Sequence, residues 1–143
     1  MKRLSGLFVI ALLLSVPAAA QQKTVDGLVI NLGLMPASLA VRAMGHAHAH
    51  PATFPSGSEH LLITLDDAKT HQRIGDATVI VQVRAPNGVV EEKPLLHTQA
   101  AGMADYSELF AFGASGTYRI RVKVTPAHGP KSVETVFRIE HQL

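Results

Sequence analysis

Met44-Gly45-His46-Ala47-His48-Ala49-His50 sets one thioether and three imidazoles at alternate positions, in a chain that has no cysteine and no tryptophan. Neutral imidazole is a ligand for Cu(II), Zn(II) and Ni(II), and a thioether adds a preference for Cu(I). In extended chain successive side chains turn to opposite sides. Met44, His46, His48 and His50 would then project the same way, about 7 Å apart for a rise of about 3.3 Å per residue. Rings at that spacing converge on one ion only where the backbone curves or the rings lean in. Gly45, Ala47 and Ala49 are small enough to allow this, and Pro51 stiffens the exit. The run holds no thiolate and no carboxylate, and affinity among divalent ions peaks at copper. Copper is therefore the expected ion, with zinc and nickel as alternatives. The competing reading is a plain polar loop that binds metal loosely and without a role.

Other residues could join this set. His60, in "SEHLLITL", opens an alternating segment ten residues after His50. The odd positions of that segment are apolar, so His60 shares the other face with Leu62 and Thr64. It is either a surface histidine at a strand start or a fifth ligand reached by the loop. Glu59 points the opposite way and is the weaker candidate. Met35 and Met103 are thioethers at strand ends, where methionine more often fills gaps in a core. His141 lies near the C-terminus and reads as a tail residue, and His71, His97 and His128 read as solvated turn or strand-end positions. No catalytic set is present. Ser56, Ser58, Glu59 and His60 are neighbours along one strand, which is the wrong geometry for a triad. Asp66-Asp67 sits at a strand-to-turn junction and reads as turn chemistry.

The elements that must hold these residues are strands. Thr24 to Leu34, Glu59 to Leu65, Ala77 to Arg84, Ala104 to Phe112, Thr117 to Thr125 and Ser132 to Glu140 alternate apolar and polar residues. Val89 to His97 reads as a return strand interrupted at Pro94, an edge or a bend. Pro86-Asn87-Gly88 is a hairpin turn signal. Ser38 to Met44 fits either a strand or a helical turn or two, and Gly45 to Gly57 reads as a loop. Short strands with turns every 8–12 residues predict an all-β, immunoglobulin-like antiparallel β-sandwich of seven or eight strands. Tyr118, in "GTYRIRV", stands where such sandwiches carry a tyrosine corner, and equally suits a simple core aromatic.

Met1-Lys2-Arg3, the apolar stretch Leu4–Val16, Pro17 and the small residues Ala18-Ala19-Ala20 form a signal-peptide pattern. The apolar stretch is short for a membrane span, which takes about 20 residues. An uncleaved N-terminal anchor is the alternative. The expected organisation is a signal peptide at 1–20, an N-terminal strand and His-rich loop at 21–58, and an immunoglobulin-like core at 59–143 completing one domain. Lys2 and Arg3 account for the formal charge of +2, so residues 21–143 are neutral overall with neutral histidines. No Lys/Arg cluster is evident along that stretch, which argues against a nucleic-acid partner. The absence of cysteine excludes thiolate metal sites, thiol redox chemistry and lipid attachment after the cleavage site.

Two stretches, "HLLITLDDAKTHQRIGDATVIVQVRAPNG" and "GMADYSELFAFGASGTYRIRVKV", carry a further pattern at His60, Asp66, Thr70, Ala77, Val79, Tyr106, Gly116 and Tyr118. In these the chain resembles the YtkA-like family of exported bacterial domains, over residues 59–125. The resemblance implies an immunoglobulin-like fold outside the cytoplasm and a role in binding or metal handling, often near copper transport or respiratory-oxidase assembly. His71 stands where the family's turn glycine is usual, and Tyr118 replaces the commoner tryptophan. The His run lies outside the match, so copper handling rests on Met44, His46, His48, His50 and His60 themselves.

The expectation is a periplasmic, non-enzymatic protein that captures or delivers copper through a His/Met loop. Its partners would be a transition-metal ion and an envelope copper transporter or oxidase-assembly protein, with no nucleic acid and no membrane span after signal cleavage. The alternative is a structural or protein-interaction module of the envelope with no metal role.

Overall fold

The computed structural model describes residues 20–44, 54–100, 103–128 and 131–143. Residues 1–19, which carry most of the signal-peptide pattern, and His46, His48 and His50 lie outside the described residues. The elements are β1 (Ala20–Val25), β2 (Leu28–Pro36), α1 (Ala37–Met44), β3 (Ser58–Asp67), β4 (Thr78–Arg84), β5 (Val90–Pro94), β6 (Leu96–Ala100), β7 (Met103–Ala111), β8 (Gly116–Thr125) and β9 (Val133–His141). No helix among the described residues is long and apolar enough to cross a membrane.

The strands form two antiparallel sheets. One has the order β1-β2-β3-β7-β6 and the other β5-β4-β8-β9. From β2 onward this is the immunoglobulin arrangement of A-B-E-D facing G-F-C with an added strand beside C. Alternation builds the core. Leu28, Ile30, Leu32 and Leu34 of β2 and Leu61, Ile63 and Leu65 of β3 face Val79, Val81 and Val83 of β4 and Ile120, Val122 and Val124 of β8, all buried.

The strand count exceeds the expected seven or eight for two local reasons. Asp26 and Gly27 both adopt positive φ, 49° and 81°, the mirror-image turn that suits a two-residue hairpin. The stretch read as one strand from Thr24 is therefore a hairpin of β1 and β2. At Pro94-Leu95 the return strand does not merely bend. Its first half pairs with β4 in one sheet and its second half with β7 in the other, while Leu95 is buried and donates its N–H to the Val79 carbonyl. Proline lacks the N–H a continuing ladder would need, so the switch falls there.

Two tyrosines pin the connections. The Tyr118 hydroxyl accepts from the Ala114 N–H and donates to the Ala114 carbonyl, both at 3.0 Å, while its ring is buried. This is a tyrosine corner between β7 and β8. The Tyr106 hydroxyl does the same for the connector before β4, accepting from the Ala77 N–H and donating to the Ile74 carbonyl. Burial of the Tyr106 phenol pushes its pKa up, keeping it the neutral donor this geometry uses.

Candidate metal-binding site

Met35-Pro36 ends β2, and α1 follows at once. The helix is eight residues long, packs against β2 and β3, and buries Ala37 and Ala40. Positions three apart lie on one helical face, and alanine there lets the helix backbone come close. Met44 is its last residue, so the first sequence-predicted ligand belongs to an element seated on β2 and β3.

The chain returns through Phe54-Pro55-Ser56-Gly57. The Ser58 N–H donates to the Pro55 carbonyl, and the Phe112 N–H donates to the Gly57 carbonyl at 2.7 Å. Gly57 has φ +78°, and a Cβ there would stand 2.9 Å from the Phe112 carbonyl oxygen, so only glycine fits this entry to β3. A concavity of about 450 Å³ lies between the two anchors, lined by Pro36-Ala37-Ser38 and by Phe54 to Glu59.

His60 follows three residues after Gly57. It is opposite Met35 on β2 and Leu109 on β7, and shares their face, the one turned away from the sandwich core. The alternation argument placed it correctly. A surface histidine is not what the structure holds, however: His60 is 1% exposed. A buried imidazole and the half-buried Met35 are thus side by side where β2 gives way to α1 and the chain enters β3. Of the sequence-predicted ligands, His60 is within the sheet, Met44 ends the helix, and His46, His48 and His50 lie outside the described residues. Among the described residues no three His, Asp or Glu gather into a metal-sized group.

His141 is not a loose tail. Its ring packs at 5.4 Å from Phe112 and 5.8 Å from Tyr118, and its Nε2 lies 3.4 Å from Glu59 Oε1. Both side chains are largely buried, so this contact ties the end of β9 to the start of β3 across the two sheets. Glu59 and His60 are adjacent in sequence and therefore on opposite faces, and the structure does not bring His141 to His60. Nothing in the C-terminal residues marks this contact; only the pairing of His141 with Gly116 at the sheet end creates it.

The remaining histidines stay apart. His97 packs on Tyr106 at 5.3 Å, and His128 stands 3.9 Å from Asp76 with its side chain 92% exposed. His71 has φ +58° in the turn after β3. Asp66 and Asp67 perform the turn chemistry expected of them. Asp66 pairs with Arg73 at 2.7 Å, and Asp67 accepts from the Lys69 and Thr70 N–H groups at 2.8 Å. Those bonds, Thr70 first and then Lys69, hold the Asp67 carboxyl below its ordinary 3.8.

No protein-family model matches the chain, and no curated protein does. The YtkA-like resemblance thus has no family-model match beside it. Solved structures do match in shape. FetP of uropathogenic Escherichia coli strain F11, recombinantly expressed in the periplasm of E. coli, is 9% identical with a TM-score of 0.67, covering 89% of this chain and 97% of its own. A DUF4426 family protein from Pseudomonas aeruginosa PAO1 is 14% identical with a TM-score of 0.66, covering 85% and 96%. Copper-reconstituted P19 from Campylobacter jejuni is 9% identical with a TM-score of 0.65, covering 87% and 94%. These likenesses show the fold. At this identity they carry no residue across, and the site must be argued from the side chains present.

Proposed function

We propose that the chain is an exported, non-enzymatic copper-binding protein of the bacterial envelope, in which Met44, His46, His48, His50 and His60 take up the ion and pass it on. The observation that carries this reading is the placement of His60. It is a buried imidazole beside Met35, at the junction where both ends of the His-rich segment are anchored. His50 is ten residues from His60 and Met44 closes the helix on the same two strands, so covalent reach of about 3.4 Å per residue suffices to bring the run to it. Imidazoles with a nearby thioether suit copper in both oxidation states, the ion being cargo rather than a resident cofactor. Two proteins with this fold support the choice of metal: P19 reconstituted with copper and a FetP variant bound to copper.

Titration of the purified protein with Cu(II), with Cu(I) under anaerobic conditions, and with Zn(II) tests the reading. Saturable copper binding is expected, weakened at least tenfold when His46, His48 and His50 are all replaced by alanine. His60→Asn should weaken it further in a protein whose circular dichroism and Tm confirm folding. A triple variant that binds copper like the parent overturns the assignment. Metal-bound imidazole is neutral, so the same titration should lose affinity as pH falls through the imidazole range near 6.5.

A further inference from the structure

The outer face of the four-stranded sheet holds a cationic row that the linear sequence hides. Arg84 of β4 is directly opposite Arg119 of β8, and Arg119 is directly opposite Arg138 of β9. Adjacent strands are about 4.8 Å apart, so three guanidinium stems stand abreast within about 10 Å. All three side chains are exposed, and none makes an ion pair among the described residues. Like charges directly opposite one another destabilise a sheet. Arg121, next along β8 on the same face, is shared with Glu134 at 3.4 Å. Beyond β9, Lys23 of β1 donates to the Val136 carbonyl and adds positive charge at that edge.

Along one side of this row is a hollow of about 320 Å³, lined by Gln82, Arg84, Arg119, Arg121 and Val136 but not by Arg138. We propose that this hollow is a binding site for a small multivalent phosphate, a di- or triphosphate. The guanidinium fork matches carboxylate and phosphate oxygens in pairs; Arg84 and Arg119 line the hollow without an ion pair among the described residues, Arg121 lines it beside them, and together they serve an anion with several oxygens. The surroundings select for a small ligand. Glu92 hydrogen-bonds Gln82 on one side, and Glu134 and Glu140 lie on β9 beside the row. These carboxylates would repel a long polyanion or a flat anionic surface while leaving the central hollow positive. The site is independent of the copper reading, since it is on the opposite sheet.

Isothermal titration and thermal melts with sodium pyrophosphate in 0.15 M NaCl test the proposal. The parent should bind saturably and rise in Tm. Arg119→Ala should fold with an unchanged or higher Tm, because it relieves the like-charge row, and should bind pyrophosphate at least tenfold more weakly. Lys123→Ala, which removes an equal charge outside the hollow, should stay within twofold of the parent. No saturable pyrophosphate binding by the parent overturns the proposal. So does equal weakening in the Arg119 and Lys123 variants, which would show only net charge, or capture by phosphatidylglycerol vesicles that pyrophosphate does not displace.

Discussion

Replacing Tyr118 by phenylalanine removes one oxygen and nothing else from the core. The ring keeps its packing, 4.4 Å from Phe112 and 5.8 Å from His141. Two hydrogen bonds are lost, the hydroxyl accepting from the Ala114 N–H and donating to the Ala114 carbonyl, each at 3.0 Å. A net intramolecular hydrogen bond contributes about 0.5–1.5 kcal/mol, and a buried backbone group left without a partner costs about 1–3 kcal/mol. Ala114 is half-buried, so water recovers part of that loss. The two bonds together then contribute about 2 kcal/mol. For a domain of this size each kcal/mol moves the midpoint by about 4 °C, so Tyr118→Phe should lower Tm by about 8 °C. Urea melts should show a lower midpoint with an unchanged m-value, because no surface is exposed by the change. A Tm drop below about 2 °C would refute the corner as a source of stability and leave Tyr118 as an ordinary core ring. Tyr106→Phe is the matched control, with two bonds of similar length to Ala77 and Ile74, and should cost a similar amount.

Two further outcomes are expected from the turn after β3. His71 has φ +58°, and a left-handed backbone costs a side-chain-bearing residue about 1–2 kcal/mol that glycine does not incur. After glycine's extra unfolded-state entropy is subtracted, His71→Gly should leave stability unchanged or raise it by up to about 1 kcal/mol, read from chemical denaturation. Asp67 has a folded-state pKa below its ordinary 3.8 because it accepts the Thr70 and Lys69 N–H groups. The folded protein therefore binds fewer protons there than the unfolded chain. The stabilisation is complete above about pH 4 and is lost as pH falls through the lower folded value. In Tm measurements from pH 7 to 2, Asp67→Ala should melt below the parent near neutrality, and the gap should narrow under acid; a gap that widens would contradict the sign.

Much of the fold is legible in the chain because a half-buried strand alternates. β3, β4, β8 and β9 each place apolar side chains at every second residue, and each appears within a few residues of its expected span. β1 is harder to see for the same physical reason. Gln21, Gln22 and Lys23 form an exposed edge strand with no buried face, so no alternation marks it, although Asp26-Gly27 signals the turn. The sheet switch at Leu95 depends on what the two halves pair with, which local residues do not encode. The arginine row is the clearest case. Arg84, Arg119 and Arg138 are scattered along the sequence, and only strand register sets them side by side. The absence of a Lys/Arg cluster in the linear reading is therefore corrected by the fold. His60 shows the converse limit. Period-2 alternation places it on the outer face, yet says nothing about whether that face is covered.

His60, a ligand on the proposed reading, is held firmly by its surroundings, and this bears on how the site would work. His60 is on β3, whose entry is pinned by the Phe112 N–H to Gly57 carbonyl bond and by the Glu59 contact to His141. His141 in turn packs on Phe112 and Tyr118, and Tyr118 is fixed by the corner at Ala114. One run of contacts thus links the tyrosine corner to the backbone on which His60 stands. A ligand held this way loses little freedom when an ion arrives, whereas each ligand ordered only on binding subtracts from affinity. On the proposed reading His60 is the fixed ligand and the tethered run His46-His48-His50 completes the set. Loosening the corner should then weaken copper binding through His60 without touching any ligand. Tyr118→Phe is predicted to weaken binding in the parent, but to leave it unchanged in a His60→Asn background. Equal weakening in both backgrounds would mean that the corner acts on the whole fold and that His60 is not the anchored ligand.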